Sequence, residues 1–188
     1  MTDLTVITPP VGEPVSLSQA KDFLRIGHDG EDVLIGDLIH RARERVEQAS
    51  GLALGMRTLQ LKWTTWPVGL SGRGARLSPG PVKTLSAVRI ADAEGGLIDH
   101  TARFQLSCGR VCLRPSSMVP GIPIGGHVEV EFQAGFDDIP DDLQEAVLRL
   151  VGQAYATRTP SAFEFSLDEG ALSPEVRGIL AARRELRL

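Results

Sequence analysis

At 188 residues, 42% hydrophobic and 23% charged, the chain is long enough for one domain with a real core, or for one domain carrying a sizeable insertion. Its composition excludes a disordered or fibrous protein. A net charge of -4 argues against gripping a polyanion through bulk charge. No run reaches the ~18 apolar residues of a membrane span, and Met1 to Pro14 lacks the basic start and apolar block of a signal peptide. The expectation is a protein made and folded in a cytoplasm, with no membrane partner.

The ordered chain is expected to open at "VSLSQAKDFLRI". Ser16 can cap a helix, Gln19 stands three residues later as its capping-box partner, and Ala20, Phe23 and Leu24 recur at helical spacing. This short helix should end near Gly27. "GHDGED", Gly27 to Asp32, then packs one histidine among three carboxylates. Asp29 sits where an N-cap belongs, and Glu31 and Asp32 fall in the first turn, where unpaired N–H groups and the helix dipole favour negative charge. A calcium loop would need a glutamate at its twelfth position, and the twelfth residue from Asp29 is His40. Val33, Leu34, Leu38, Ile39, Ala42, Val46 and Ala49 mark the apolar stripe of a long helix running to about Ser50, with Gly51 as its left-handed stop.

From Arg57 the period changes to two. "TLQLKWTTW", "VKTLSAVRI" and "HVEVEF" alternate, the last with Val128, Val130 and Phe132 inward and Glu129 and Glu131 outward. "ADAEGGLI" reads as a hairpin turn, and "FQLSCGRVCL" as a pair of short strands around Gly109. If "CGRVC" is one strand, Cys108 and Cys112 share a face as two small buried hydrophobes; their spacing fits neither a redox pair nor a zinc knuckle. "VGLSGRGAR" lacks the GK[ST] ending of a phosphate loop and reads as a connection between strands. "IPDDLQEAVLRLVGQAYATR" returns to helical spacing, with Leu143, Val147, Leu150, Val151, Ala154 and Tyr155 as its apolar face. A last helix should start with Ser173 as cap and Pro174 at its first position.

The fold class expected from this pattern is α+β: a bundle of about four helices with an inserted small antiparallel β-sheet or sandwich module. The domain limits expected are 15–54 and 139–188 for the helical core, with an extended loop at 159–172, and 57–133 for the β module.

Catalytic chemistry finds little support. No GxSxG elbow, HExxH helix or GxGxxG fingerprint occurs, and His28, His40, His100 and His127 are scattered singly. No catalytic residue, metal or cofactor is expected. A rival reading keeps a small hydrolase or ligand-binding domain, with a pocket between sheet and helices around His127 or His100.

Surfaces carry more information. Arg57 to Arg114 holds nine basic residues against three acidic, whereas Glu129 to Glu145 holds seven acidic and no basic one. This asymmetry suits either solvated faces or a surface that meets a copy of itself head to tail. "TPSAFEFSLDEGAL" presents Phe163, Phe165 and Leu167 at period two, and either folds back over the core or extends onto a neighbouring chain. "AARRELRL", with Arg183, Arg184 and Arg187, either offsets a helix C-terminus or enters a partner.

The ordered series "VSLSQAKDFLRIGHDGEDVLIGDLIHRARERVEQASGLAL", "LSPGPVKTLSAVRIADAEG" and "VEVEFQAGFDDIPDDLQEAVLRLVGQAYATR" resembles the head-to-tail connector (adaptor) proteins of long-tailed bacteriophages and of phage-derived gene transfer agents. The likeness runs from Val15 to about Arg158. It implies a ring of about twelve copies, by analogy with portal symmetry, formed from a chain that can be monomeric when free. The ring would dock beneath the portal protein and above a tail-side stopper or tail terminator protein. DNA would pass through its lumen without specific binding, past carboxylates that let it slide. The chain would be made in the bacterial cytoplasm and end at the head–tail junction. Its working parts would be interfaces, for which Glu129, Glu131, Phe163, Phe165, Leu167, Arg183, Arg184 and Arg187 are the candidates.

Overall fold

The computed structural model describes residues 2–157 and 172–183. The fold is α+β, with four helices and two antiparallel sheets. The described chain divides into two compact units, one of residues up to Val11 with Gly55–Asp137, the other of Gly12–Leu54 with the residues from Asp138 onward.

The first unit is all β. Its strands are β1 (Thr2–Thr8), β2 (Arg57–Trp63), β3 (Ala75–Arg76), β4 (Val82–Ala91), β5 (Leu97–Asp99), β6 (Phe104–Ser107), β7 (Arg110–Leu113) and β8 (His127–Ala134). A five-stranded sheet runs in the order β1-β2-β8-β4-β5 and a three-stranded one in the order β3-β7-β6. Alternation decides the faces. Leu59, Leu61 and Trp63 lie in register with Phe132, Val130 and Val128, which in turn face Leu85, Val88 and Ile90. This apolar face is the core of the unit, and Val88, Val128, Val130 and Phe132 are fully buried in it. The strict period fails in β4, where register breaks at Val82/Thr84 and Leu85/Ala87 let the consecutive residues Ala87 and Val88 both become buried. The second sheet buries Phe104 and Val111. Phe104 stacks on Trp66 at 5.4 Å, and Trp66 meets Trp63 edge-on at 6.4 Å, so three aromatic rings tie the sheets together.

Both expected hairpins form. At the β4–β5 turn, Asp92 Oδ1 accepts the backbone N–H groups of Glu94 (3.1 Å) and Gly96 (2.6 Å). At the β6–β7 turn, Cys108 and Gly109 both have positive φ, 48° and 70°, the geometry of the tight two-residue turn whose twist matches its strands. This corrects the cysteine expectation. "CGRVC" is a turn followed by a strand, so Cys108 is exposed at the tip and Cys112 half-buried, rather than both lying inside one strand face. In the glycine-rich connection, Gly72 and Gly74 donate their N–H groups to Gly69 O at 2.9 and 3.0 Å, and Leu70 and Ala75 are buried.

β1 is a second correction, since the ordered chain does not wait for Val15. "TDLTVIT" carries its own alternation, with Leu4 and Val6 in register with Leu61 and Leu59, and Pro9 and Pro10, which have no N–H to donate, follow the strand.

The second unit is helical: α1 (Leu17–Leu24), α2 (Asp32–Ser50), α3 (Asp141–Ala156) and α4 (Pro174–Arg183). α1 begins with the expected capping box. Ser16 Oγ accepts from Gln19 N at 3.1 Å and Gln19 Oε1 accepts from Ser16 N at 2.8 Å. Ser16→Ala should cost about 1 kcal/mol of stability, read as a lower urea midpoint. The helix stops at Leu24 because Arg25 turns left-handed, φ 59°, before Gly27 is reached.

The start of α2 differs from expectation. Its N-cap position is Glu31, with no side-chain cap, and Asp29 instead receives the Lys21 ammonium at 2.6 Å, with Asp32 Oδ1 at 2.8 Å from the same nitrogen. One lysine reaching back from α1 thus claims the two carboxylates on either side of the helix start. The apolar stripe is also rotated. Ile35, Leu38, Ile39, Ala42 and Val46 are buried, while Val33 and Leu34 are exposed. Arg43 is a buried charge on that face, satisfied by Glu13 (2.8 Å) and Glu47 (3.2 Å). Gly51, φ 72°, ends α2 as expected, donating to Glu47 O at 2.8 Å. α3 buries Leu143, Ala146, Val147, Leu150 and Val151, and α4 buries Val176 and Leu180, with Ser173 Oγ accepting from Val176 N at 3.3 Å.

Candidate functional site

The outward face of the five-stranded sheet collects the charges that alternation excludes from the core. Gln60, Lys62, Arg89, His127, Glu129 and Glu131 all project from it, with Glu129 directly between Lys62 and Arg89 in the register. Glu129 is the hub. It takes Lys62 Nζ at 2.9 Å, Gln60 Nε2 at 2.9 Å and His127 Nε2 at 3.1 Å. Burial works against ionising its carboxyl, but the hydrogen bonds from Lys62 and His127 outweigh burial and hold it below the ordinary glutamate value. Glu131 pairs with Arg89 at 3.2 Å. The side chain of Glu129 is only 12% exposed and that of Glu131 26%.

The candidate interface residues therefore occupy different situations. Glu129 and Glu131 come together on one face, already paired within the chain. Arg183, on α4, forms a two-pronged bond to Asp142 at the start of α3, 2.8 and 3.0 Å, which holds the Asp142 carboxyl below its usual range. Phe163, Phe165, Leu167, Arg184 and Arg187 lie outside the described residues.

Two features of the sheet escaped the sequence reading. Its edges are open and apolar. β1, at one end, leaves Leu4 45% and Val6 50% exposed, and β5, at the other, leaves Leu97 54% and Ile98 60% exposed. For β1 the signal was present, as period-two apolar residues closed by a Pro-Pro stop. An open groove of about 570 Å³ is lined by Thr64, Thr65, Trp66 and the 120–126 segment, with Trp66 Nε1 donating to Pro120 O at 2.8 Å. Its lining contains no histidine, cysteine or carboxylate, so its walls offer shape and apolar surface rather than acid–base groups. Among the described residues no group of three His, Cys, Asp or Glu is arranged to hold a metal ion, and no helix is long and apolar enough to cross a membrane.

No family model and no curated protein matches this chain. Solved structures do. The chain is similar to one from the neck of an empty GTA particle computed with C6 symmetry, at 28% identity and a TM-score of 0.81, covering 99% of this chain and 97% of that one. It is equally similar to a chain of the virion of a native gene transfer agent (GTA) particle, at 28% identity and TM-score 0.81, covering 98% and 96%. A third likeness is to the neck of a native GTA particle computed with C12 symmetry, at 27% identity and TM-score 0.78, covering 99% and 97%. The likeness is to parts of a gene transfer agent particle. It spans nearly the whole of each chain and supports a structural component of the particle neck.

Proposed function

We propose that this chain is a structural head–tail adaptor, a subunit of a ring beneath the portal of a phage or gene transfer agent particle. The ring joins the DNA-filled head to the tail and extends the DNA channel. The observation that carries the reading is the near-complete match, in length and in fold, to neck chains of such particles. The C6 and C12 symmetries of those necks support a rotationally repeated arrangement, here of about twelve copies. On this reading the helical core, 15–54 with 139–188, carries the β module, 57–133, as an insertion. The partners are further copies, the portal on the head side and a stopper or tail terminator on the tail side. DNA slides past without specific contacts, as the net charge of -4 favours.

Deleting the gene from a particle-producing cell should yield DNA-filled heads without tails, seen by electron microscopy, and reduce DNA transfer to background; supplying the chain in trans should restore both. Normal tailed particles lacking the protein would sink the proposal.

A further inference from the structure

We infer that copies of this chain join through the two open edges of the five-stranded sheet, β1 of one copy lying beside β5 of the next. The inference rests on the ring reading above and names the contact that would build it. The charged face, where the sequence asymmetry placed the contact, has its carboxylates engaged within the chain: Glu129 with Lys62, Gln60 and His127, Glu131 with Arg89. Neither edge pairs with a further strand among the described residues. β1 is seven residues long and contains no lysine, arginine or proline; Asp3 is its one charge, and its register shift, between Val6 and Thr8, falls at its end. An apolar edge of that kind demands cover, and β5 supplies a second one on the same sheet.

Topology makes the two edges fit a ring rather than a two-fold pair. Four successive antiparallel pairings separate β1 from β5, so the two edge strands run in the same direction. A rotation about an axis along the strands therefore lays β1 of one copy parallel to β5 of its neighbour, and the same operation repeats around a closed circle. Cyclic assembly needs two different surfaces on each copy, and opposite sheet edges are such a pair. The faces agree as well. Leu4 and Val6 share the core face with Leu61 and Leu59, and Ile98 shares it with its register partner Ile90. Joining the edges thus continues one apolar face from copy to copy, with backbone pairing for affinity and the exposed Leu4, Val6 and Ile98 packed side by side.

Crosslinking in assembled particles tests this. In a background with Cys108→Ser and Cys112→Ser, Ile98→Cys is combined with Val6→Cys or with Leu4→Cys, and the particles are mildly oxidised. A ladder of covalent multimers from a double variant, absent from each single variant, is the expected result. Necks that contain the ring but give no ladder overturn the edge contact and leave the adaptor reading standing. A covalent dimer from Val6→Cys alone, or a crosslink from β1 to a different neck protein, also overturns it. Normal tailed particles that form without the chain overturn both readings. As a second measurement, Val6→Lys should lower the melting temperature of the free chain only slightly, since Val6 is half-exposed, while strongly lowering its occupancy in the neck; full occupancy would count against the edge contact.

Discussion

Glu129→Lys is expected to destabilise the β module before it disturbs any contact between copies. The wild-type carboxylate is 12% exposed and accepts from three donors, Lys62, Gln60 and His127. A lysine there removes the shared acceptor and sets a third basic side chain beside two others in a largely desolvated place. Solvent screens the partners, since Lys62 and His127 are 39% and 32% exposed, so the loss costs about 1–3 kcal/mol, and urea unfolding of the purified chain should shift to a lower midpoint. Glu131→Lys is the contrasting case. Glu131 is more exposed than Glu129, 26% against 12%, and its ion pair is with Arg89 alone, so the reversal should cost only about 1 kcal/mol. Glu131→Lys is therefore the reversal that probes assembly, while Glu129→Lys probes folding. The same network gives a pH dependence. Because the folded Glu129 carboxyl titrates below its ordinary value of 4.5, its contribution is complete above that value and is lost as pH falls through the lower, folded one. Glu129→Gln should flatten that part of the stability–pH curve, and an unchanged acid limb would remove Glu129 from the account.

Gly135→Ala should be comparably damaging, for a steric reason. Gly135 follows β8 with φ 129°, a region L side chains rarely adopt, and donates its N–H to Pro81 O at 2.9 Å. A Cβ placed there would lie 2.4 Å from Gly55 O and 2.7 Å from Met56 Cα. Both neighbours are backbone, so no side chain can swing aside. Strain at a forbidden φ and forced displacement of packed backbone together cost roughly 2–4 kcal/mol. The thermal midpoint of the β unit should fall by roughly 10 °C or more; a drop of only a degree or two would show that the 55–56 segment yields easily.

Most of the fold was legible where one physical signal ruled alone. Period-two alternation placed β2, β4 and β8 and separated Phe132 from Glu131 correctly, and the capping box around Ser16 and the glycine stop at Gly51 marked helix ends. Errors arose where two signals competed. Asp29 has the chemistry of an N-cap, but a long-range partner, Lys21, took it, and local propensity does not foresee a bond across eight residues. Val33 and Leu34 fit a stripe by spacing, yet Ile35 sets its true centre, because the angular position of an amphipathic face depends on which neighbours arrive. In "CGRVC" the turn-forming pair Cys108-Gly109 overrode even spacing. The candidate site was less readable. The segregation of acidic and basic stretches was visible in the sequence, but strand register brings Lys62, Arg89 and Glu129 together, so an asymmetry along the chain became a neutralised face in space.

The parallel bridge between Gly55 and Phe136 means that residues 55–137, the longer of the two stretches that make the β unit, begin and end at neighbouring points. A segment whose two termini meet can be excised or exchanged without asking the remainder to span a gap, because a short linker replaces it. Because β1 pairs with β2 from outside that stretch, a working exchange would have to carry residues 2–11 along with 55–137, so the module is one body in space but two pieces of the gene.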